Sequence, residues 1–235
     1  MNEKDEKLSR IGSRGFTLVE LLACIAIVGI LAAILLTTLS AVRLSAKKTG
    51  SIANLRAIGV GVAQYLVDNK NTYPSLSSFG YHTPYWSEKI TAYLPRPSAN
   101  KNELSGNAFT ASAAMMDPLL DSSSHHNLGD YGGNTLVFIP PPSATATSGK
   151  SALSISSPAN IVTIMSAGQP YGGRIVGCWQ LVPSLYLSGN PSALTVTGVP
   201  DDRNTGSYYC LFADGHTGAI NKNDFAQNAA KFLTP

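Results

Sequence analysis

Charge is scarce in this chain: Asp, Glu, Lys and Arg make up 13% of 235 residues, against ~25% in ordinary globular proteins. The net charge is only +3, too little to draw the chain to nucleic acid or to an acidic surface. Neither a Gly-x-Ser-x-Gly elbow nor a His-Glu-x-x-His helix occurs, so the usual hydrolase nucleophile and zinc-protease chemistries have no motif to rest on. Gly59, Gly61, Gly168, Gly172 and Gly173 form neither a phosphate loop nor a dinucleotide fingerprint. No internal repeat is present. These absences argue against an enzyme and imply no cofactor.

Cysteine is also rare, with three residues. Cys24 lies in an apolar run and reads as a small apolar side chain. Cys178 and Cys210 fall in strand-like segments. A disulfide between them and two buried thiols both fit, depending on compartment and side-chain geometry.

The longest feature is a run from Leu21 to Val42 without Asp, Glu, Lys, Arg, His or Pro. As a helix at about 1.5 Å per residue, it spans a hydrocarbon core about 30 Å thick. Glu20 stands at its start. A carboxylate so close to a membrane-length segment needs a partner and reads as functional. Beyond Arg43, Lys47 and Lys48, an amphipathic stripe of Ile52, Leu55, Gly59, Val62 and Leu66, widened by Ile58 and Tyr65, follows helical spacing. Asp68-Asn69-Lys70-Asn71 and Pro74 end it. The spacing predicts one helix from about Thr17 to Asn69, apolar in its first half and docked on a globular domain in its second.

The N-terminal residues 1–15 carry four cations against three acids, and no Ala-x-Ala site closes the apolar run as in a secretory signal. Gly15-Phe16-Thr17-Leu18-Val19-Glu20-Leu21-Leu22 resembles, residue for residue, the type IV prepilin signature. That resemblance implies a leader at 1–15, a cut by prepilin peptidase between Gly15 and Phe16, and N-methylation of Phe16. It also implies that Glu20 meets the amino group of Phe16 on a neighbouring subunit, which removes the penalty of a lone buried carboxylate. An uncleaved signal anchor is the plainer alternative.

Residues 16–70 read as the helical segment, and 71–235 as a β-rich globular domain. Thr135–Ile139, Ile161–Met165, Gly177–Leu187, Leu194–Val199 and Tyr208–Ala213 are rich in strand formers. Tyr81–Leu94 reads as a short helix or irregular cover, and Pro140-Pro141-Pro142, Gly172-Gly173 and Asp201-Asp202 as loops or turns. Asp214-Gly215 between apolar runs predicts a hairpin with a type I′ turn. The segment Arg203–His216 resembles the C-terminal ending of large pilin-like families of planctomycete and verrucomicrobial bacteria. Arg203, Gly206 and Phe212-Ala213-Asp214-Gly215-His216 match, while Asn204 replaces a histidine.

Other polar groups have plainer readings. His125-His126, near Asp121 and Asp130, sits in a Ser- and Gly-rich stretch and reads as a solvated loop. Asp201, Asp202, Asn204 and Asp214 offer oxygens to calcium, but no loop has EF-hand spacing, and the turn accounts for Asp214; no metal is expected.

The expected fold is α+β and pilin-like: a long N-terminal helix, spanning the membrane over 16–42, on a small antiparallel sheet. The resemblance implies a single-pass inner-membrane protein with a periplasmic C-terminal domain. It also implies assembly with other pilin or pseudopilin subunits through an inner-membrane platform. A type II secretion pseudopilus is the first reading and a type IV pilus the second, Thr37 standing where many relatives carry a kinking proline. A membrane-anchored binding domain that never polymerises is the rival from another class, with Tyr81, Tyr85, Trp86 and Tyr93 as its candidate carbohydrate site.

Overall fold

A computed structural model describes residues 16–76, 85–94, 112–126, 128–139, 148–171, 174–178, 180–187 and 198–235. The chain divides into two compact units, Met1–Ser45 and Ala46–Pro235. One long helix, α1 (Leu18–Asp68), contributes to both, close to the expected limits.

Within the first unit the helix presents its apolar side chains outward. Leu21, Ile25, Ile30 and Leu35 are all exposed. By length and composition this segment can cross a membrane.

In the second unit the stripe read from the sequence is the buried one. Leu55, Ile58 and Val62 are buried, and Ile52, Tyr65 and Leu66 pack at their flanks. Gly59 belongs to the same face for a steric reason: a Cβ there would lie 2.9 Å from Leu211 Cδ1, so glycine lets the helix approach the sheet. The helix ends where Lys70 and Asn71 turn left-handed (φ 55° and 56°), with Asn71 N–H donating back to Leu66 O at 2.8 Å. That bond satisfies a terminal carbonyl.

After α1 come β1 (Thr72–Pro74), α2 (Trp86–Thr91), β2 (Tyr131–Asn134), β3 (Ser148–Ser151), β4 (Val162–Tyr171), β5 (Arg174–Gly177), β6 (Gln180–Leu181), α3 (Pro183–Leu187), β7 (Val199–Pro200), β8 (Ser207–Phe212), β9 (Thr217–Asn221) and α4 (Lys222–Leu233). The main sheet runs β6-β2-β4-β8-β9, with β5 and β7 also pairing β4, and β1 pairs β3 separately. All pairs are antiparallel except the short β2–β6 contact. The architecture is α+β, as expected.

Strand β8 shows how the core is organised. Tyr209 and Leu211 face the cluster built on α1, while Tyr208, Cys210 and Phe212 face a second cluster with Phe225, Ala229 and Leu233 of α4. Successive side chains on a strand point to opposite faces, so a strand covered on both sides must be apolar throughout. The unbroken Tyr208–Phe212 run is therefore a sign of burial on two faces. The covering helix α4 was not anticipated; its signals are Asn221, whose side chain accepts from Asn223 N–H, and the four-residue spacing of Phe225, Ala229 and Leu233.

Several expected strands fall elsewhere. Thr135–Ile139 is a turn, though Val137 and Phe138 are buried, and the strand lies upstream at β2. Its two glycines hide it from propensity. A Cβ on Gly132 would come within 2.7 Å of Gln180 O and one on Gly133 within 3.1 Å of the Trp86 ring, so close packing excludes the residues that favour strands. Gly177–Leu187 breaks into the end of β5, the two-residue β6 and the helix α3, with Pro183 at the first helical position, where its missing N–H is harmless. Of Leu194–Val199, only Gly198 and Val199 are described. Tyr81, Pro140–Pro142 and Gly172-Gly173 lie outside the described residues.

Candidate functional site

At the N-terminal end of α1, Thr17 and Glu20 form a reciprocal pair. Glu20 Oε2 accepts from both the backbone N–H and the hydroxyl of Thr17, each at 2.8 Å, and Glu20 N–H donates to Thr17 Oγ1 at 3.3 Å. This is a capping box, in which side chains three residues apart satisfy donors that the first helical turn leaves open. Thr17-x-x-Glu20 is the sequence signature of such a box, so Glu20 has a local role besides the intermolecular one that the prepilin resemblance implies. Phe16 is 76% exposed. Gly15 lies outside the described residues.

The C-terminal motif separates into two structures. Its second part is a hairpin joining β8 to β9 (Leu211 opposite Thr217). Gly215 N–H donates to Phe212 O at 3.0 Å and Phe212 N–H to His216 O at 2.9 Å. Gly215 is left-handed (φ 91°), but Asp214 is not among the positive-φ residues. The loop is thus a three-residue Ala213-Asp214-Gly215 connection rather than type I′, which needs positive φ at both central positions. Asp214 Oδ1 accepts from His216 N–H at 3.1 Å and lies 2.6 Å from its Nδ1. The imidazole stacks on Phe212 with centroids 4.1 Å apart.

Its first part is a buried charge cluster centred on Arg203. This residue is left-handed (φ 51°), which turns its guanidinium inward, fully buried. Nη1 donates to Asp201 Oδ2. Nη2 donates to the carbonyls of Asp130 and Ala167, both at 2.8 Å, and Nε contacts Asp117 Oδ2 at 3.4 Å. Burial opposes the guanidinium charge, but Asp201, Asp117 and Asp130 outweigh it and hold the group more firmly protonated than usual. Burial pushes the Asp117 carboxyl upward, with Arg203 offsetting part of the rise. The adjacent Asn204 is also left-handed (φ 57°) and exposed, a conformation asparagine tolerates.

Asp130 joins this cluster to the histidines. Its Oδ2 accepts from Asp117 N–H at 2.7 Å and lies 2.5 Å from His125 Nδ1, while Oδ1 accepts from His126 N–H at 2.9 Å. Asp130 is fully buried and the His125 side chain 13% exposed. The expected solvated loop is therefore wrong for His125, His126 and Asp130 and holds only for Asp121, which is exposed. Ser- and Gly-rich composition misled because a buried aspartate supplies the hydrogen bonds that water would otherwise provide.

The remaining candidates stand apart. Asp201 pairs with Arg203 and Asp202 with Lys222 at 3.2 Å, while Asp214 is hydrogen-bonded to His216, so each carboxylate already has its own partner. Cys178 and Cys210 are both buried; Cys178 Sγ donates to Gln169 Oε1 and Cys210 Sγ to Tyr208 O, each at 3.5 Å. Burial pushes the Cys210 thiol well above its ordinary value. In the aromatic group, Trp86 is fully buried against Phe138 and offers no face to a sugar, while Tyr93 packs edge-on to Tyr65.

The prokaryotic N-terminal methylation motif matches residues 10–36, the stretch that holds Phe16, the Thr17–Glu20 box and most of the apolar run. No curated protein and no solved structure matches the chain. The motif belongs to structural rather than enzymatic proteins, and together with the exposed membrane-length helix and the α+β architecture it supports a type IV pilin-like protein.

Proposed function

We propose that the chain is a structural subunit of a type II secretion pseudopilus, made as a single-pass inner-membrane precursor. Prepilin peptidase cuts between Gly15 and Phe16 and the new amino terminus is methylated. The apolar helices of many copies then exchange lipid for one another in a filament core. The observation that carries this reading is the methylation motif over residues 10–36, at the start of a helix whose apolar side chains are exposed in the single chain. Such a surface is stable only in lipid or against other apolar helices.

The deciding experiment is mass spectrometry of the N-terminal peptide of the native protein from its own membranes. A peptide beginning at N-methyl-Phe16 is expected. A chain that still begins at Met1 would leave a plain membrane anchor and end the filament reading. Deleting the gene then assigns the filament: loss of protein secretion is expected, whereas normal secretion with loss of twitching or adhesion would assign a type IV pilus.

A further inference from the structure

Between the short 3₁₀ turn at Ser122–Ser124 and β2, two neighbouring histidines meet one buried carboxylate with opposite proton requirements. His125 Nδ1 faces Asp130 Oδ2 at 2.5 Å. A carboxylate only accepts, so this nitrogen carries a proton. On His126, Nδ1 receives the backbone N–H of Leu128 at 3.1 Å. That donor needs a lone pair, so this nitrogen carries none. The His126 backbone meanwhile donates to Asp130 Oδ1, which places both residues on the same buried anchor.

We propose that His125 and His126 form a two-sided proton sensor, in which deprotonating His125 loosens its hold on Asp130 and protonating His126 Nδ1 breaks the bond to Leu128, so the globular unit is most stable in a narrow pH band. The groups facing His125 are Asp130 on its own loop, Asp117 on the segment before it and Arg203 on the loop before β8; Asp130 faces His126. The hydrogen bond to Asp130 holds the His125 imidazolium above its ordinary range, against the effect of burial. Burial pushes His126 below its ordinary range, and Asp130 only partly opposes this.

The signs follow from proton linkage. The stability contributed by His125 is present below the ordinary histidine value of about 6.5 and is lost as pH rises through its higher folded value. That contributed by His126 is present above about 6.5 and is lost as pH falls through its lower folded value. Asp117, raised by burial, favours the folded state in acid and offsets part of the His126 limb. The sensor operates whether or not the chain polymerises.

Long-range ¹⁵N–¹H spectra of the ¹⁵N-histidine-labelled full chain in detergent micelles read the protonation and tautomer of each ring. His126 is expected as the neutral Nε2–H form with a midpoint below about 6.5, and His125 as an imidazolium with a midpoint above it. A His126 ring protonated at Nδ1 at neutral pH, or both rings titrating together at the ordinary value, would overturn the proposal. Urea unfolding across pH 5–9 supplies a second readout, in which the His126→Asn variant, whose Oδ1 accepts without titrating, flattens the acid limb. His125→Gln is expected to flatten the alkaline limb. Profiles that match the wild type in both variants would equally overturn it.

Discussion

Glu20→Ala is expected to yield a chain that is still cut but forms no detectable filament. Two distinct losses contribute. The first is local: without the carboxylate, the Thr17 N–H and hydroxyl lose their acceptor, and the first turn of α1 frays. The second is the proposed pairing with the amino terminus of a neighbouring Phe16, which requires the negative charge. Glu20→Gln separates them, because glutamine still closes a capping box but carries no charge. Under the filament reading, Glu20→Gln fails to polymerise as completely as Glu20→Ala. Filament yield, measured by shearing and electron microscopy with cleavage followed by N-terminal mass, decides the matter. Normal filaments from Glu20→Gln would reduce Glu20 to a helix cap.

Arg203→Ala is expected to destabilise the globular unit by about 3–5 kcal/mol, the usual result of removing one member of a buried ion pair. The substitution leaves Asp117, fully buried, without its cation, and removes one of the two donors from each of the Asp130 and Ala167 carbonyls, which keep only the backbone N–H of Ala167 and of Cys178. Each of those groups was desolvated on folding, so losing a protein partner is costly. Against a typical total stability of about 5–15 kcal/mol, the loss is large enough to lower the yield of folded protein. Arg203→Lys keeps a charge but loses the planar fork that reaches two carbonyls and two carboxylates at once, and is expected to fall between wild type and alanine. Urea midpoints of the full chain in detergent measure the series. A change below about 1 kcal/mol for Arg203→Ala, the size of a surface pair, would mean that the cluster does not hold the unit together.

Legibility followed the range of the interactions involved. Helix α1 could be read to within a residue or two because its apolar run, its stripe and its terminating Asn and Pro are all local. The β8–β9 hairpin was equally legible through Asp214-Gly215, although its turn type was not: only Gly215 adopts positive φ. Strand β2 was missed because Gly132 and Gly133 are selected by the neighbours they touch rather than by strand propensity. The same cause hid α3, since Pro183 reads as a break until the chain around it shows that it begins a helix.

By itself the sequence determined the membrane-length helix, the N-terminal methylation motif and the α+β character. All of these depend on residues near one another in the chain, where periodicity and spacing carry the physics. The tertiary structure alone decided the Arg203 cluster and the opposed histidines. Arg203 and Asp117 are 86 positions apart, and Asp130 becomes an anchor only when folding removes water from it and brings Asp117, His125 and His126 within hydrogen-bonding distance. A buried charge is defined by the partners that replace its hydration, and no local pattern specifies which distant residues those will be.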